Sequence, residues 1–322
     1  LLDVGGGLGV DYDGSRTASA ASTNYSLQNY ANDVVATVKE CCMPHNIPVP
    51  TLVSESGRAI ASHFSVLVFN VLGCGQPPEQ EPAPQPDEPL PVRNLRETLF
   101  QIRQVKDQPE IDISLLQEAW NDAVKFRDDA LAAFRLGYIR LDQRAMAEEL
   151  SWSCAQAINA LLPGSKPIHE DLRGLQRALA CTYYANLSVF RSAPDTWAID
   201  QLFPVMPIHR LDEQPTELGQ FADLTCDSDG KLDQFIDAGK TKSLLELHPL
   251  RDGEPYRIGI FLAGAYQEVM GNLHNLFGTT NAVHIRLSPG GSYRIDHVVR
   301  GDTNAEVLEA MEHDPRALLE RL

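Results

Sequence analysis

The chain opens with short apolar runs separated by a helical repeat of apolar positions. Residues 1–4 form an apolar run that stops at the glycine loop 5–9, as a buried strand does before a loop. From 26 to 42, apolar residues recur at the spacing of an amphipathic helix, which a proline then ends. A second apolar run follows at 51–54. The order strand, helix, strand predicts a parallel α/β sheet or barrel, which we place at residues 1–60.

Four further segments follow, each with its own pattern. Residues 61–75 contain a long β-type run and predict a strand that enters a second domain. Residues 76–92 are rich in Pro, Glu and Gln and predict a disordered linker. The pattern of 93–187 is helical and predicts an inserted bundle. Residues 188–322 carry shorter β-rich runs and a hairpin signal at Pro289-Gly290-Gly291, which predict a C-terminal β domain.

Charge and composition restrict the classes of partner that the chain is expected to bind. The 322 residues include 44 acidic and 27 basic side chains, for a formal charge of -17, and contain no Lys or Arg run that could follow a phosphate backbone or an anionic bilayer. No apolar stretch approaches the ~20 residues that span a bilayer, and no signal peptide begins the chain. We therefore expect a soluble cytoplasmic protein that binds neither nucleic acid nor membrane. The six cysteines lack zinc-site spacing.

The first residues already have the pattern of a strand interior, with no Met before them. We expect the chain to be a fragment whose N-terminal part is missing.

The glycine loop 5–9 is the first candidate for chemistry. Glycines allow backbone N–H groups to approach an anion closely, as phosphate binding requires. Val10 stands where a dinucleotide fingerprint has Gly or Ala, which weakens a Rossmann interpretation. Phosphate binding and a tight structural turn both stay open.

The second candidate is the group Glu55, Gly57 and Arg58, which follows the next predicted strand. In a β/α barrel such strand ends face the active site. A carboxylate there can pair with a protonated ring nitrogen, and a guanidinium can bind a phosphate. The alternative is a surface ion pair at the end of the strand.

The third candidate places Cys226 beside Asp227 and Asp229. A thiol next to carboxylates suits proton transfer and recognition of a cationic substrate. A simple turn is the alternative, since Asp, Ser and Gly are turn residues. A calcium loop is disfavoured because its closing Glu is absent.

The fourth candidate is the glycine-rich stretch 264–278, which contains Tyr266 and His274. A Tyr hydroxyl can donate to a phosphate or a substrate, whereas His274 suits either acid–base chemistry or packing.

Taken in order, the four motifs resemble the biosynthetic arginine decarboxylases, members of the alanine-racemase-like fold class of pyridoxal-phosphate decarboxylases. The resemblance covers nearly the whole chain, and its matching stretches are 2–12, 54–60, 201–213, 226–230 and 264–278. It implies an α/β plus β fold. We expect the last strands of a (β/α)8 TIM-type barrel, incomplete here, a helical-bundle insertion and a C-terminal β-barrel or sandwich domain.

The resemblance also implies roles for named residues. The phosphate of pyridoxal 5'-phosphate would be bound by Gly5, Gly6, Gly7, Gly57, Arg58 and Tyr266, and its pyridine nitrogen would pair with Glu55. Cys226 would handle the proton at Cα. The substrate would contact Asp227 and also Leu2, Asp3, Val4, Leu8, Gly9, Val10, Asp11 and Tyr12. To these we add Asp229, because a guanidinium offers a wide fork of donors to a second carboxylate.

The implied activity is decarboxylation of L-arginine to agmatine and CO2 for polyamine synthesis, in a homodimer or larger assembly whose subunits share active sites. Magnesium is associated with the family, although no spacing here defines a metal site. Decarboxylation of ornithine, lysine or diaminopimelate, and a non-catalytic regulatory binder, are the alternatives. None of the seven lysines lies on an early barrel strand, where the family binds its cofactor covalently. We therefore expect this chain to be inactive alone.

Overall fold

The computed structural model describes residues 1–75, 81–105, 111–162, 173–237 and 240–321. Two compact units divide the chain. One contains Leu1–Cys74, Tyr183–Thr216 and Gln220–Leu322, and the other contains Gly75–Thr182 and Glu217–Gly219. None of the described helices is long and apolar enough to cross a membrane.

The first unit begins with the predicted strand, helix and strand. Strand β1 (Leu2–Asp3) and strand β2 (Leu52–Val53) pair in parallel, with helix α1 (Leu27–Cys42) between them in sequence. Ser26 caps α1, since its side chain accepts a hydrogen bond from the Asn29 amide. The predicted order of strand, helix and strand and the parallel pairing are observed, but no residue of α1 is fully buried. A short helix, α2 (Gly57–Ala61), then leads to the long strand β3 (Leu67–Gly75).

The second unit is a helical bundle. It consists of α3 (Leu90–Val105), α4 (Ile113–Arg135), α5 (Leu141–Leu161) and α6 (Arg173–Leu179). Each of these helices sends apolar side chains into one core, where the residues least exposed to solvent include Leu95, Leu99, Leu116, Leu150, Ile158 and Leu175. Burial of this apolar surface is the main force that holds the bundle together.

The start of α3 differs from the predicted linker. The helix begins at Leu90, so the last residues of the predicted segment 76–92 are helical. Pro91 lies in the first turn, where a proline costs nothing because its missing N–H would have no partner inside the helix. Residues 76–80 of that prediction lie outside the described residues.

Short elements follow the bundle and, apart from Cys181–Thr182 and Glu217–Gly219, they belong to the first unit. These are β4 (Cys181–Ala185), α7 (Val189–Ser192), α8 (Asp195–Ala198), β5 (Val205–Pro207), β6 (Glu217–Ala222), β7 (Lys231–Leu232), β8 (Phe235–Asp237), β9 (Lys240–Lys242), β10 (Leu245–Leu247), β11 (Tyr256–Ile260), α9 (Gln267–Met270), β12 (Ala282–Leu287), β13 (Tyr293–Val299), α10 (Asn304–Ala310) and α11 (Pro315–Leu319).

A seven-stranded sheet organises this part. Its order is β10-β6-β4-β3-β11-β5, and β7 pairs with β6. Strand β3 pairs antiparallel with β11, so that Phe69 lies opposite Ile258. Phe69 and Phe221 meet edge to face with ring centroids 5.4 Å apart, an arrangement that aromatic pairs favour.

The hairpin signal at Pro289-Gly290-Gly291 is confirmed. Strands β12 and β13 pair antiparallel on either side of it, and Gly290 and Gly291 have φ values of 94° and 84°. Such positive φ angles favour glycine.

Candidate functional site

The glycine loop and Glu55 lie next to each other because their strands pair in parallel. The Val4 amide donates to the Val53 carbonyl, and the Glu55 amide donates to the Gly5 carbonyl, both at 2.9 Å. The carboxyl ends of β1 and β2 therefore meet at one edge, as the strand-end argument predicts. Two motifs separated by about fifty residues in sequence form one surface.

The loop itself depends on glycine. Gly5 and Gly7 have φ values of 76° and 88°, which L side chains rarely adopt. A Cβ atom on Gly6 would lie 3.2 Å from the Glu55 carbonyl oxygen. The Gly5 amide donates to Asp3 Oδ1 at 2.8 Å, whereas the amides of Gly6 and Gly7 donate to no described residue. Two backbone donors are thus available beside Glu55.

Arg58 is held by several contacts, including a hydrogen bond from its Nη1 to Gln201 Oε1 at 3.5 Å. Its Nη1 donates to the Tyr12 hydroxyl at 3.2 Å, and its Nη2 lies 3.7 Å from Asp195 Oδ2. The guanidinium also lies over the Tyr266 ring, 4.7 Å from the centroid, which is a cation–π contact. The alternative of a surface ion pair does not describe this residue, because its carboxylate partner is buried with 6% of its side chain exposed.

The predicted substrate stretch 2–12 contains residues of two kinds. Leu2 and Asp3 are exposed, whereas Val10 and Tyr12 are buried. The Tyr12 ring meets Phe203 edge to face at 5.5 Å. Val10 and Tyr12 thus contribute to packing, and the substrate contacts of this stretch stay a prediction.

The segment 225–230 forms a turn and also exposes its chemical groups. The Asp229 amide donates to Asp227 Oδ1 at 3.0 Å, and the Gly230 amide donates to the Asp227 carbonyl. The buried Asp223 accepts from the Thr225 amide beneath this turn, and a Cβ atom on Gly230 would lie only 2.2 Å from Asp223 Oδ1. The turn therefore holds Cys226, Asp227 and Asp229 outward, and all three are exposed.

Asn275 joins the cysteine motif to the glycine-rich stretch. Its Nδ2 donates to Cys226 Sγ at 3.3 Å, across 49 positions of sequence. Among the described residues, no hydrogen bond joins Cys226 to Glu55 or to Arg58. The described hydrogen bonds therefore join the cysteine motif to the glycine-rich stretch and not to the glycine loop.

His274 packs. Its ring lies 4.3 Å from the Phe190 ring, and its buried Nε2 has no hydrogen-bond partner among the described residues. Of the two interpretations left open for His274, the structure favours packing.

Sequence reasoning missed three residues of these groups: Asp195, Gln267 and Asn275. Asp195 and Gln267 are buried and bonded to each other although they lie 72 positions apart. No periodicity or spacing marks such contacts. The one available signal was that Gln267 and Asn275 lie within the glycine-rich stretch already selected.

Two known families match parts of the chain. The family described as "Pyridoxal-dependent decarboxylase, pyridoxal binding domain" matches residues 1–62, which contain the glycine loop, Glu55 and Arg58. The family described as "Arginine decarboxylase helical bundle domain" matches residues 85–176, which contain α3, α4 and α5.

Relatives match the chain from end to end. A biosynthetic arginine decarboxylase of Prochlorococcus marinus (strain MIT 9303) is 72% identical over 321 residues, which are 100% of this chain and 50% of that protein. One from Thermosynechococcus vestitus is 58% identical over 322 residues, which are 100% of this chain and 49% of that protein. The predicted resemblance to the biosynthetic arginine decarboxylases is confirmed.

A solved structure supports the same conclusion for the fold. The biosynthetic arginine decarboxylase of Campylobacter jejuni superposes with a TM-score of 0.76 at 31% identity, over 99% of this chain and 50% of that one. The chain thus has the fold of part of a biosynthetic arginine decarboxylase and spans about half the length of the relatives it matches.

Proposed function

We propose that this chain forms part of the active site of a pyridoxal-phosphate-dependent enzyme that decarboxylates L-arginine to agmatine and CO2 for polyamine synthesis. The observation that carries the proposal is the hydrogen bond between the Glu55 amide and the Gly5 carbonyl, which places a carboxylate beside a loop with two available N–H donors. A carboxylate and an anion site side by side are what a pyridoxal phosphate needs at its two ends. On this proposal, residues 1–60 belong to a (β/α)8 barrel.

The phosphate would be held by the Gly6 and Gly7 amides together with Arg58. Gly6 fits this role because a Cβ atom there would crowd the Glu55 carbonyl oxygen. A glycine at this position also leaves the backbone N–H accessible to an anion. Arg58 supplies a planar fork of charged donors, which suits a phosphate better than a point charge does. The Tyr266 ring lies against that guanidinium, 4.7 Å from the Cζ atom to the ring centroid, and its hydroxyl would donate to the same phosphate.

Glu55 would accept a hydrogen bond from the protonated pyridine nitrogen. When bound, the cofactor supplies an electron sink for the carbanion that remains after CO2 leaves. Glu55 is exposed and its side chain is not used by a described partner, so its carboxylate is available for this bond.

Cys226 would hold and deliver the proton at the Sγ atom to the substrate Cα. The thiol is oriented by the hydrogen bond that its Sγ accepts from the side-chain amide of Asn275. Asp227 and Asp229 would bind the guanidinium of the substrate. As the resemblance implies, Cys226 would complete the active site of a second subunit, which agrees with its exposure in this chain.

No group of three or more His, Cys, Asp or Glu side chains could hold a metal ion in the part of the chain that the structure describes. Magnesium, which the resemblance associates with the family, therefore receives no site in this proposal.

The test is product analysis on the full-length protein that contains this chain, supplied with pyridoxal phosphate and separately with arginine, ornithine, lysine and diaminopimelate. We expect agmatine from arginine alone. Another amine would overturn the substrate but keep the chemistry, whereas no amine from any substrate would favour a regulatory binder. A parallel borohydride reduction should attach the cofactor to no lysine of this chain, and a labelled lysine within 1–322 would contradict the proposed division of the site.

A further inference from the structure

A buried carboxylate connects Arg58 to the residue that follows Tyr266. Asp195 begins α8 and is 4% exposed. Its Oδ2 atom accepts a hydrogen bond from Gln267 Nε2 at 2.8 Å and lies 3.7 Å from Arg58 Nη2. The Asp195 amide in turn donates to Gln267 Oε1 at 3.1 Å. One oxygen therefore interacts with both residues, and the bond to Gln267 is reciprocal.

The backbone next to Gln267 is strained. Tyr266 has φ of 69° and ψ of -32°, a conformation that a bulky residue keeps only where its surroundings enforce it. Gln267 is 2% exposed, and its Nε2 also donates to the Ala265 carbonyl at 2.9 Å. Gln267 thus bonds to the residue before Tyr266 and to Asp195 at once, which fixes the position from which the Tyr266 ring reaches Arg58.

We propose that Asp195 and Gln267 are positioning residues that hold Arg58 and Tyr266 as one unit for the phosphate of the cofactor. This inference rests on the proposed function of Arg58 and Tyr266. A buried carboxylate is retained only with partners for its charge, and here those partners are Arg58 and Gln267. Without Asp195 the guanidinium has no buried counter-charge, and the strained turn at Tyr266 loses its bond to α8.

The two residues can be separated by substitution. Asp195→Asn keeps a group that can bond to Gln267 but removes the charge that faces Arg58. Gln267→Met keeps the charge of Asp195 and the approximate volume of the Gln267 side chain. It removes the hydrogen bonds of that side chain to Ala265 and to Asp195. Both changes should disorder the same pair of phosphate ligands, although each acts through a different contact.

The experiment is equilibrium titration of the full-length protein, freed of cofactor, with pyridoxal phosphate and with pyridoxal, which lacks the phosphate. Absorbance reports binding of both. We expect each variant to raise the Kd for pyridoxal phosphate about tenfold or more, the effect of losing one charge-assisted contact. The Kd for pyridoxal should stay within about twofold. A merely structural role would weaken both ligands equally, and that outcome would overturn the inference, as would unchanged binding of both.

Glu88→Gln is the matched control. Glu88 pairs with Arg96 in the bundle, and the exposed fractions of the two side chains, 6% and 19%, resemble the 6% and 26% of Asp195 and Arg58. This variant removes a comparable charge without touching Arg58 and should leave the preference for pyridoxal phosphate unchanged. Thermal unfolding without cofactor shows whether Asp195→Asn folds. If it does not, the binding results for Gln267→Met test the inference.

Arg58→Gln separates the inference from the function on which it rests. If this variant also binds both ligands normally, the phosphate site itself is wrong. If it loses the preference for pyridoxal phosphate while Asp195→Asn and Gln267→Met keep it, the site stands and the positioning role is wrong.

Discussion

The bundle and the opening strand–helix–strand segment differ in what they bury. In the bundle, Leu95, Leu150 and Ile158 are wholly buried at 0% exposure, and the helices share one apolar core. Helix α1 of the opening segment has no fully buried residue, and Leu27 at its start is 68% exposed. The fixed points of the opening segment are instead Tyr12 and Arg58, which bond to each other. The bundle is thus held together by one apolar core, whereas the opening segment combines a few buried apolar side chains with polar contacts around the proposed site.

The largest expected effect tests this difference with one substitution made at two places. Leu150→Ala should lower the free energy of unfolding by about 2–5 kcal/mol, because it leaves a cavity in a closed core. Leu27→Ala, on exposed α1, should change it by less than about 0.5 kcal/mol. Urea unfolding followed by tryptophan fluorescence measures both. An equal loss at Leu27 would show that α1 is as enclosed as the bundle, and the comparison would fail.

The next effect concerns activity rather than stability. Cys226→Ala should lower kcat about 100-fold in the full-length protein, since proton transfer by a placed side chain contributes on this scale. Its unfolding free energy should not change, because Cys226 is exposed. Cys41→Ala is the control, for Cys41 is also an exposed cysteine and lies on α1. A similar loss of kcat in both variants would remove the special role of Cys226.

The parts of this picture that could be predicted from sequence are local or follow a general rule. Strand, helix and strand at the start were predictable from periodicity, and the meeting of Gly5 with Glu55 follows from parallel pairing of consecutive strands. The start of α3 was mispredicted because Pro91 and its neighbours have the composition of a linker, although proline is well tolerated in a first helical turn.

The contacts that could not be predicted are buried and distant in sequence. Asp195 follows a proline and resembles a turn residue, and nothing near it signals a bond to Gln267. Its charge became informative only when folding placed it against Arg58. Asn275 likewise has no marker for its bond to Cys226. Hydrogen bonds between residues separated by scores of positions depend on the whole fold rather than on a local pattern.

The smallest expected effect tests whether polar contacts also matter in the bundle. Arg96 donates to Glu88 Oε1 at 2.5 Å, and this bond holds the pKa of Glu88 below its usual 4.5, against the opposing effect of burial. Because the pKa of Glu88 is lower in the folded state, its charge stabilises the fold at pH values above 4.5, the ordinary pKa. This stabilisation is lost as the pH falls below 4.5 and through the folded-state pKa. Glu88→Gln should therefore cost roughly 1–2 kcal/mol at neutral pH.

The pH profile separates this contribution from packing. At a pH below both the folded-state and the unfolded-state pKa of Glu88, the wild type has lost the contribution of the Glu88 charge. The unfolding free energies of the wild type and of Glu88→Gln should therefore converge at acid pH. Glu148→Gln is the control, because the Glu148–Arg144 pair lies on the same bundle with side chains 48% and 35% exposed, and it should cost less than about 0.5 kcal/mol at any pH. Curves for Glu88→Gln that stay parallel to the wild type down to acid pH would mean that packing of the side chain, and not its charge, stabilises the start of α3.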